Sequence, residues 1–429
     1  MLKEILDKFN KLAGGPVETD EQFAKIQEAD LTIEEIQVLS LLKAQRLLRQ
    51  RKYSEAKEEL IELKKKIEGK EVDAIEAYLC KLLSFVSSFE GKHKENLSYA
   101  IRFVEKTDAS EPELFPERYY NLAMAYLRNR KYDEAEEYFL KSIAYCEEKN
   151  NDRIKFNSIM GLGEFYLRQG LYTEAQEYLH EVIVYSKKVN DIRTLSMALG
   201  NYGLVLRNIG DCKAAISIFE ELISYCEKLN NIRLKGTTYC NMGLCFANLK
   251  EFSKAEEAYK ISLEILKPLN NLFLIKKVYN NLAMNYASLK KNDLVISYYE
   301  KAYDISCEMN DEFNKRITRN NIINHMLEYD KFFPKMKEEI EDNIEYFSKQ
   351  KNIEILVKCN HILSNYYRKK NNPKKALDAL HKAFILQGDF FEKQFKEQNK
   401  EFYEAIRETI ERREKIKNIL EPELTKSIK

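Results

Sequence analysis

The chain has no tryptophan, and its 429 residues include only 13 glycines and 7 prolines. That is well below the average usage of roughly 7% and 5%. Sheet-rich folds need more turn residues than this, so long helices joined by short turns are expected. Collagen-like and low-complexity chains are excluded by the same scarcity. A surplus of one charge is also missing, since 70 Lys and Arg oppose 69 Asp and Glu for a net charge of +1. Direct nucleic-acid binding usually leaves a basic excess, and there is none overall. No apolar run reaches the roughly 18 residues of a membrane span. Met1 to Leu6 lack the apolar core of a signal peptide. The eight cysteines form no C-x-x-C and are scattered through helical patterns. They read as reduced, mostly buried thiols of a cytoplasmic protein.

Chemistry-bearing motifs are scarce too. The histidines at 93, 180, 325, 361 and 381 pair with no Cys or carboxylate at metal-ligand spacing. No phosphate-binding loop, zinc-protease helix or nucleophile elbow occurs. Gly161 and Gly163 form a lone G-x-G that falls on a packing register rather than in a phosphate loop. No metal, cofactor or catalytic residue is expected, and the chain reads as a non-enzyme.

The dominant feature is self-similarity. Small residues at Ala123, Gly163, Gly203, Gly243 and Ala283 are spaced by 40. Twelve residues after each come Ala135, Ala175, Ala215, Ala255 and Val295, and four further on Phe139, Leu179, Phe219, Tyr259 and Tyr299. These offsets describe two amphipathic helices per repeat. In the first, Tyr239, Gly243 and Phe246 share a face, and the small residue admits the second helix. The second presents Ala255, Tyr259 and Ser262. Asn150, Asn190, Asn230, Asn270 and Asn310 end the second helices, where the left-handed conformation that asparagine tolerates is needed.

This small–aromatic–alanine–aromatic pattern resembles the tetratricopeptide (TPR) repeat. Tyr239 and Tyr279 stand where that family has tryptophan, and the unit is 40 residues rather than 34. The longer unit is similar to those of kinesin light chains and of Gram-positive peptide-pheromone receptors. Weaker copies flank the central five. Ala44, Ala56 and Leu60 keep the offsets upstream, a degenerate copy lies near Ser84 to Ala100, and another near Ile322 to Ile340 has Lys335 in place of the alanine. Ser364, Ala376, Leu380 and Ala383 restore the pattern. The resemblance implies an all-α, right-handed TPR solenoid of about nine helix-turn-helix repeats over residues 37–387. Residues 1–36 are then a helical cap. Residues 388–429 carry a loose apolar stripe that reads as a long C-terminal helix, either capping the last repeat or serving as a dimerising or partner-docking coiled coil.

If Gly243 and Phe246 face the partner helix, a second stripe remains on the first helix: Asn241, Leu244 and Asn248. Its equivalents are Asn121, Met124 and Arg128; Asn201, Leu204 and Asn208; and Asn281, Met284 and Ser288, with Asn321 continuing the series, while the second repeat departs with Gly161, Glu164 and Arg168. The resemblance places first helices on the concave side of the solenoid. An amide both donates and accepts, so a ladder of asparagines can hold an extended backbone while Leu and Met take apolar side chains. Long TPR families that bind extended peptides use asparagine at this place. The competing role for these asparagines is packing against an adjacent helix. Arg128 and Arg168 suit a peptide carboxylate or an acidic side chain. The expected partner is therefore a protein segment or short peptide, without direct nucleic-acid or membrane contact, and the expected role is a peptide-responsive bacterial regulator. Two rivals stand beside it. One is an aspartyl-phosphate phosphatase of the pheromone-receptor type, drawing on Gln22, Gln27, Gln37, Gln45 or Gln50. The other is a scaffold without a peptide effector.

Overall fold

The computed structural model describes residues 1–388 apart from 14–15, 18, 28–30, 51, 109–112 and 114. The long C-terminal helix expected over 388–429, and the dimerisation assigned to it, lie outside the described residues except for residue 388. Among the described residues there is no strand. The chain divides into two units, Met1–Leu249 and Lys250–Lys429.

Unit 1 opens with α1 (Leu2–Ala13) and α2 (Asp20–Gln27), followed by α3 (Ile33–Arg49), α4 (Tyr53–Ile67), α5 (Asp73–Phe89) and α6 (His93–Asp108). It continues through α7 (Arg118–Arg128), α8 (Tyr132–Glu148), α9 (Asp152–Gln169), α10 (Tyr172–Lys188), α11 (Ile192–Asn208), α12 (Cys212–Lys228) and α13 (Ile232–Asn248). From α3 onward, first and second helices alternate. A capping box starts α3, because Thr32 Oγ1 accepts from the Glu35 N–H and the Glu35 carboxylate accepts from the Thr32 N–H. Lys8 on α1 reaches the same carboxylate at 2.5 Å. Leu2, Phe9 and Phe23 are buried in one core with Val38 and Leu41 of α3.

The 40-residue period is a property of the turns as well as of the packing. Left-handed backbone recurs every 20 residues at 130, 150, 170, 190, 210 and 230, and in unit 2 at 250, 270, 290, 310 and 330. After the asparagine of each second-to-first turn comes an N-cap. The Asn151, Asp191 and Asn231 side chains in unit 1, and those of Asn271 and Asp311 in unit 2, each accept the backbone N–H three residues on.

Small residues set how closely the helices pack. A Cβ on Gly163 would lie 2.6 Å from Leu179, and one on Gly203 would lie 2.4 Å from the Phe219 ring. Where the small–alanine pair is missing, a polar pair replaces it. In α5 and α6, Asn96 Nδ2 donates to the carbonyl and hydroxyl oxygens of Ser84, both at 2.9 Å. Ser84 and Asn96 hold the same registers as Ala123 and Ala135.

Unit 2 contains α14 (Phe252–Leu266), α15 (Leu272–Ser288), α16 (Asn292–Glu308), α17 (Glu312–Glu328), α18 (Met336–Lys349), α19 (Ile353–Lys369) and α20 (373–388). Pro268 lacks an N–H to continue α14, which ends in a 3-10 turn over Lys267–Leu269. Lys335, read from the sequence as a substitute for the repeat alanine, instead adopts φ 65° as the residue before α18. It follows Pro334, so the usual first turn of this second helix does not form. Lys276 of α15 is buried and bonds Asp311, the N-cap of α17, at 2.7 Å.

Candidate functional site

The first-helix stripes of the N-terminal repeats in unit 1 converge on a cavity of about 510 Å³. Gln45 and Arg49 come from α3, Phe85 from α5, and Asn121, Met124 and Arg128 from α7. These positions share registers, because Gln45, Phe85 and Met124 each follow the repeat's small residue by one. The helical spacing that puts Asn121, Met124 and Arg128 on one face therefore puts their neighbours' equivalents opposite them. Leu48 and Leu82 supply apolar wall, and Phe85 is 53% exposed.

The polar groups of this cavity differ in how far they are engaged. Lys81 pairs with Glu117 at 2.5 Å and lies over the rings of Tyr78 and Phe115. The Tyr78 hydroxyl donates to the Gln45 carbonyl at 2.5 Å, and burial pushes that phenol up to about 12. Buried Asn96 also lines the cavity, and its Oδ1 has no partner among the described residues. The Asn121 side chain makes no hydrogen bond among the described residues. Arg128, half-buried beside Tyr120, makes neither a hydrogen bond nor an ion pair among them.

Further along unit 1, Asn201 is half-buried and its side chain is likewise unpartnered among the described residues. Asn241 is 7% exposed and accepts from Arg207 Nη1 at 3.3 Å, and Arg207 also donates to Asn208 Oδ1. Arg207 thus joins the stripes of α11 and α13. The register analysis missed it because the equivalent positions hold Leu127, Leu167 and Ala247. Its only signal was a cation at a place elsewhere apolar. Asn248 is exposed, with its Nδ2 3.7 Å from Cys212 Sγ. Leu204 packs against the core, and Leu244 is half-buried. The second repeat departs from the stripe. Gly161 is buried, and a Cβ there would lie 2.2 Å from the Phe139 ring, so this position is fixed by packing. Arg168 is already held by Glu164 on its own helix at 2.6 Å and is 47% exposed. Within unit 2, Asn281 and Asn321 are half-buried, and Met284 is 58% exposed.

The buried thiols elsewhere are explained by packing. Burial pushes the Cys80 thiol up to about 12 and those of Cys226 and Cys359 to about 11, away from nucleophilic character. No group of three or more metal-ligating side chains occurs among the described residues. No helix among them is long and apolar enough to cross a membrane. Of the glutamines, Gln37 is buried with Oε1 unpartnered, Gln22 accepts from Thr19, and Gln50 closes α3. Gln27 closes α2.

Comparison with known proteins agrees with this architecture. Profiles of the tetratricopeptide repeat match residues 117–182, 155–228, 194–267 and 276–306. No curated protein sequence matches. Among solved structures, a Rap protein complexed with competence and sporulation factor superimposes with a TM-score of 0.60 at 13% identity, covering 83% of this chain and 99% of its own. NprR in complex with its cognate peptide NprX gives 0.56 at 17% identity, with 81% and 97% covered. Aspartyl phosphate phosphatase F from Bacillus subtilis gives 0.52 at 17% identity, with 84% and 95% covered. At such identities the likeness establishes the fold.

Proposed function

This chain is a tetratricopeptide-repeat protein, and on that footing we propose that it binds an extended peptide along the first-helix stripes of unit 1. In this reading it is a peptide-responsive regulator that performs no chemistry of its own. The observation that carries the reading is the α3–α5–α7 cavity, where repeat registers converge and Asn121 and Arg128 stand without partners. Side chains at these positions are free to bond a ligand in the cavity without breaking a contact within the protein. An amide that can give and take one hydrogen bond each suits the N–H and C=O of a strand lying across the helices. Two of the solved neighbours are complexes, one with competence and sporulation factor and one with a cognate peptide, which supports the reading by analogy of fold.

The test is affinity capture of short peptides from cultures of the source organism, read by mass spectrometry. Asn121 and Asn201 are the residues to replace, because neither side chain has a partner whose loss would disturb the fold. The Asn121→Ala/Asn201→Ala variant is expected to hold a captured peptide about thirtyfold or more weakly, since the two amides lose four hydrogen bonds at roughly 0.5–1.5 kcal/mol each. Undiminished affinity in a variant with wild-type circular dichroism would rule the ladder out.

A second reading, hydrolysis of an aspartyl phosphate on a partner, has one observation in its favour. Gln45 lines the cavity with its amide nitrogen unpartnered among the described residues. Loss of acetyl-phosphate-labelled receiver domain in the presence of wild type, but not of Gln45→Ala, would favour it.

A further inference from the structure

A surface in unit 2, separate from the groove reading, is set apart by its charge. Two chain segments meet there: the α17–α18 turn (329–335) and the stretch from the end of α19 into α20 (368–375). Lys369 Nζ lies 2.9 Å from Asp330, the Lys370 ammonium lies 3.9 Å over the Phe332 ring, and Phe332 packs edge-on against Tyr366. These fifteen residues hold seven Lys and Arg against one acid, Asp330, a local +6 in a chain whose total is +1. We infer that this face binds an acidic segment of a partner protein, whose carboxylates take the ammonium groups of Lys331, Lys335, Lys370, Lys374 and Lys375.

Neither packing nor pairing accounts for these cations. The single acid is taken by Lys369. Lys331, Lys335, Arg368, Lys370, Lys374 and Lys375 are exposed and make no ion pair among the described residues. Lys374 and Lys375 also lie in the first turn of α20, where the helix dipole disfavours cations. The second helices α16 and α18 carry Asp293 or Glu338 and Glu339 there instead. Two of the ammonium groups are held ready by aromatic rings, Lys370 on Phe332 and Lys375 at 5.6 Å over Tyr367. Ammonium groups on long stems suit several carboxylates presented at different angles, whereas one planar anion would call for the arginine fork. A short protein segment fits better than a longer polyanion. Outside these fifteen residues the chain carries a net −5, since the whole sums to +1. A nucleic acid running past the patch is repelled there, and a short acidic segment is not. A membrane is disfavoured by Phe332, whose ring cannot enter hydrocarbon without drawing the Lys370 ammonium in with it.

The test uses the full chain and a fluorescein-labelled dodecapeptide of alternating glutamate and alanine. Zero-length carbodiimide crosslinking, mapped by mass spectrometry, should join its carboxylates chiefly to Lys331, Lys335, Lys370, Lys374 and Lys375. Products spread evenly over other exposed lysines, such as Lys188 and Lys213, would overturn the site. This map is made on wild type, so it does not depend on how variants fold. By fluorescence anisotropy at low salt, Lys370→Glu/Lys374→Glu should weaken binding about tenfold or more, the effect of reversing two surface charges. Lys188→Glu/Lys213→Glu, which changes net charge equally, should do little. Equal losses in the two variants would show that only net charge matters and would overturn the site. Asn121→Ala/Asn201→Ala should hold the probe as wild type does, and a loss there would move the probe to the groove. A thymidine icosamer, or vesicles of one part phosphatidylserine to three parts phosphatidylcholine, should compete poorly. Tighter binding of either would overturn the protein-segment assignment in favour of nucleic acid or membrane. No binding of the dodecapeptide at low salt would overturn the inference and leave the groove reading as it was.

Discussion

Phe219→Ala should destabilise unit 1 by about 3–5 kcal/mol, the usual cost of emptying a buried phenylalanine site. The ring is fully buried, and it fills the space that Gly203 leaves on the facing helix, where an added Cβ would lie only 2.4 Å away. Neighbouring helices cannot easily close the gap, because each is also packed against the next repeat. Gly203→Ala alone should cost about 1–3 kcal/mol by overpacking. The two changes should not add. In the double variant the new methyl enters the vacated space, so the total loss should fall below the sum of the single losses. Urea unfolding followed by circular dichroism, together with hydrogen exchange in α11 and α12, measures all three. Simple additivity would mean that the glycine and the ring are not complementary.

Lys276→Ala should cost unit 2 about 2–4 kcal/mol, near the range for removing one partner of a buried ion pair. Lys276 is 4% exposed, and its ammonium lies 2.7 Å from Asp311. Asp311 also caps α17 by accepting from the Asn314 backbone and amide at 3.1 and 2.7 Å. Burial pushes the Asp311 carboxyl up, but the bonds from Lys276 and Asn314 outweigh it, and the group titrates below its ordinary value. A carboxyl depressed in the folded state contributes stability above its unfolded pKa of about 3.9 and loses it as pH falls through the folded value. Unit 2 of the wild type should therefore weaken on acidification below about pH 4. Lys276→Ala should start weaker and show a shallower acid limb. Thermal melts between pH 3 and 7 separate the outcomes, and parallel limbs would show that the pair does not set the titration.

Much of this architecture was legible because the geometry demands particular residue types. Close helix contact requires Gly163 and Gly203, and the left-handed turn favours Asn150 through Asn310, so both recur at 40 and stand out in the sequence. The intervening turns use the same left-handed backbone at Arg130, Lys250 and Lys290. Only Gly170 and Gly210 among these turns carry a residue that favours it, so no period of 40 stood out. The degenerate second pair, α5 and α6, was under-read for a related reason. The Ser84–Asn96 hydrogen bonds do the work of a small–alanine contact with different atoms. The candidate cavity was visible in part. Asn121, Met124 and Arg128 were on the predicted stripe, but Gln45 and Phe85 share only a register with Met124, not a chemistry. Gly161 belonged to the stripe by spacing and to the core by packing. Spacing alone does not settle that choice, because the bulk of Phe139 on the neighbouring repeat decides it.

The central claim is that peptide lies on the first-helix stripes of unit 1. Site-specific photo-crosslinking tests this most directly, with a benzophenone amino acid at Met124, on the stripe, or at Leu140, an exposed position on the second helix α8. Irradiation with the captured peptide should give a crosslinked product at 124 and little at 140. Equal labelling at both positions, or labelling at 140 alone, would place the ligand off the groove and contradict the account.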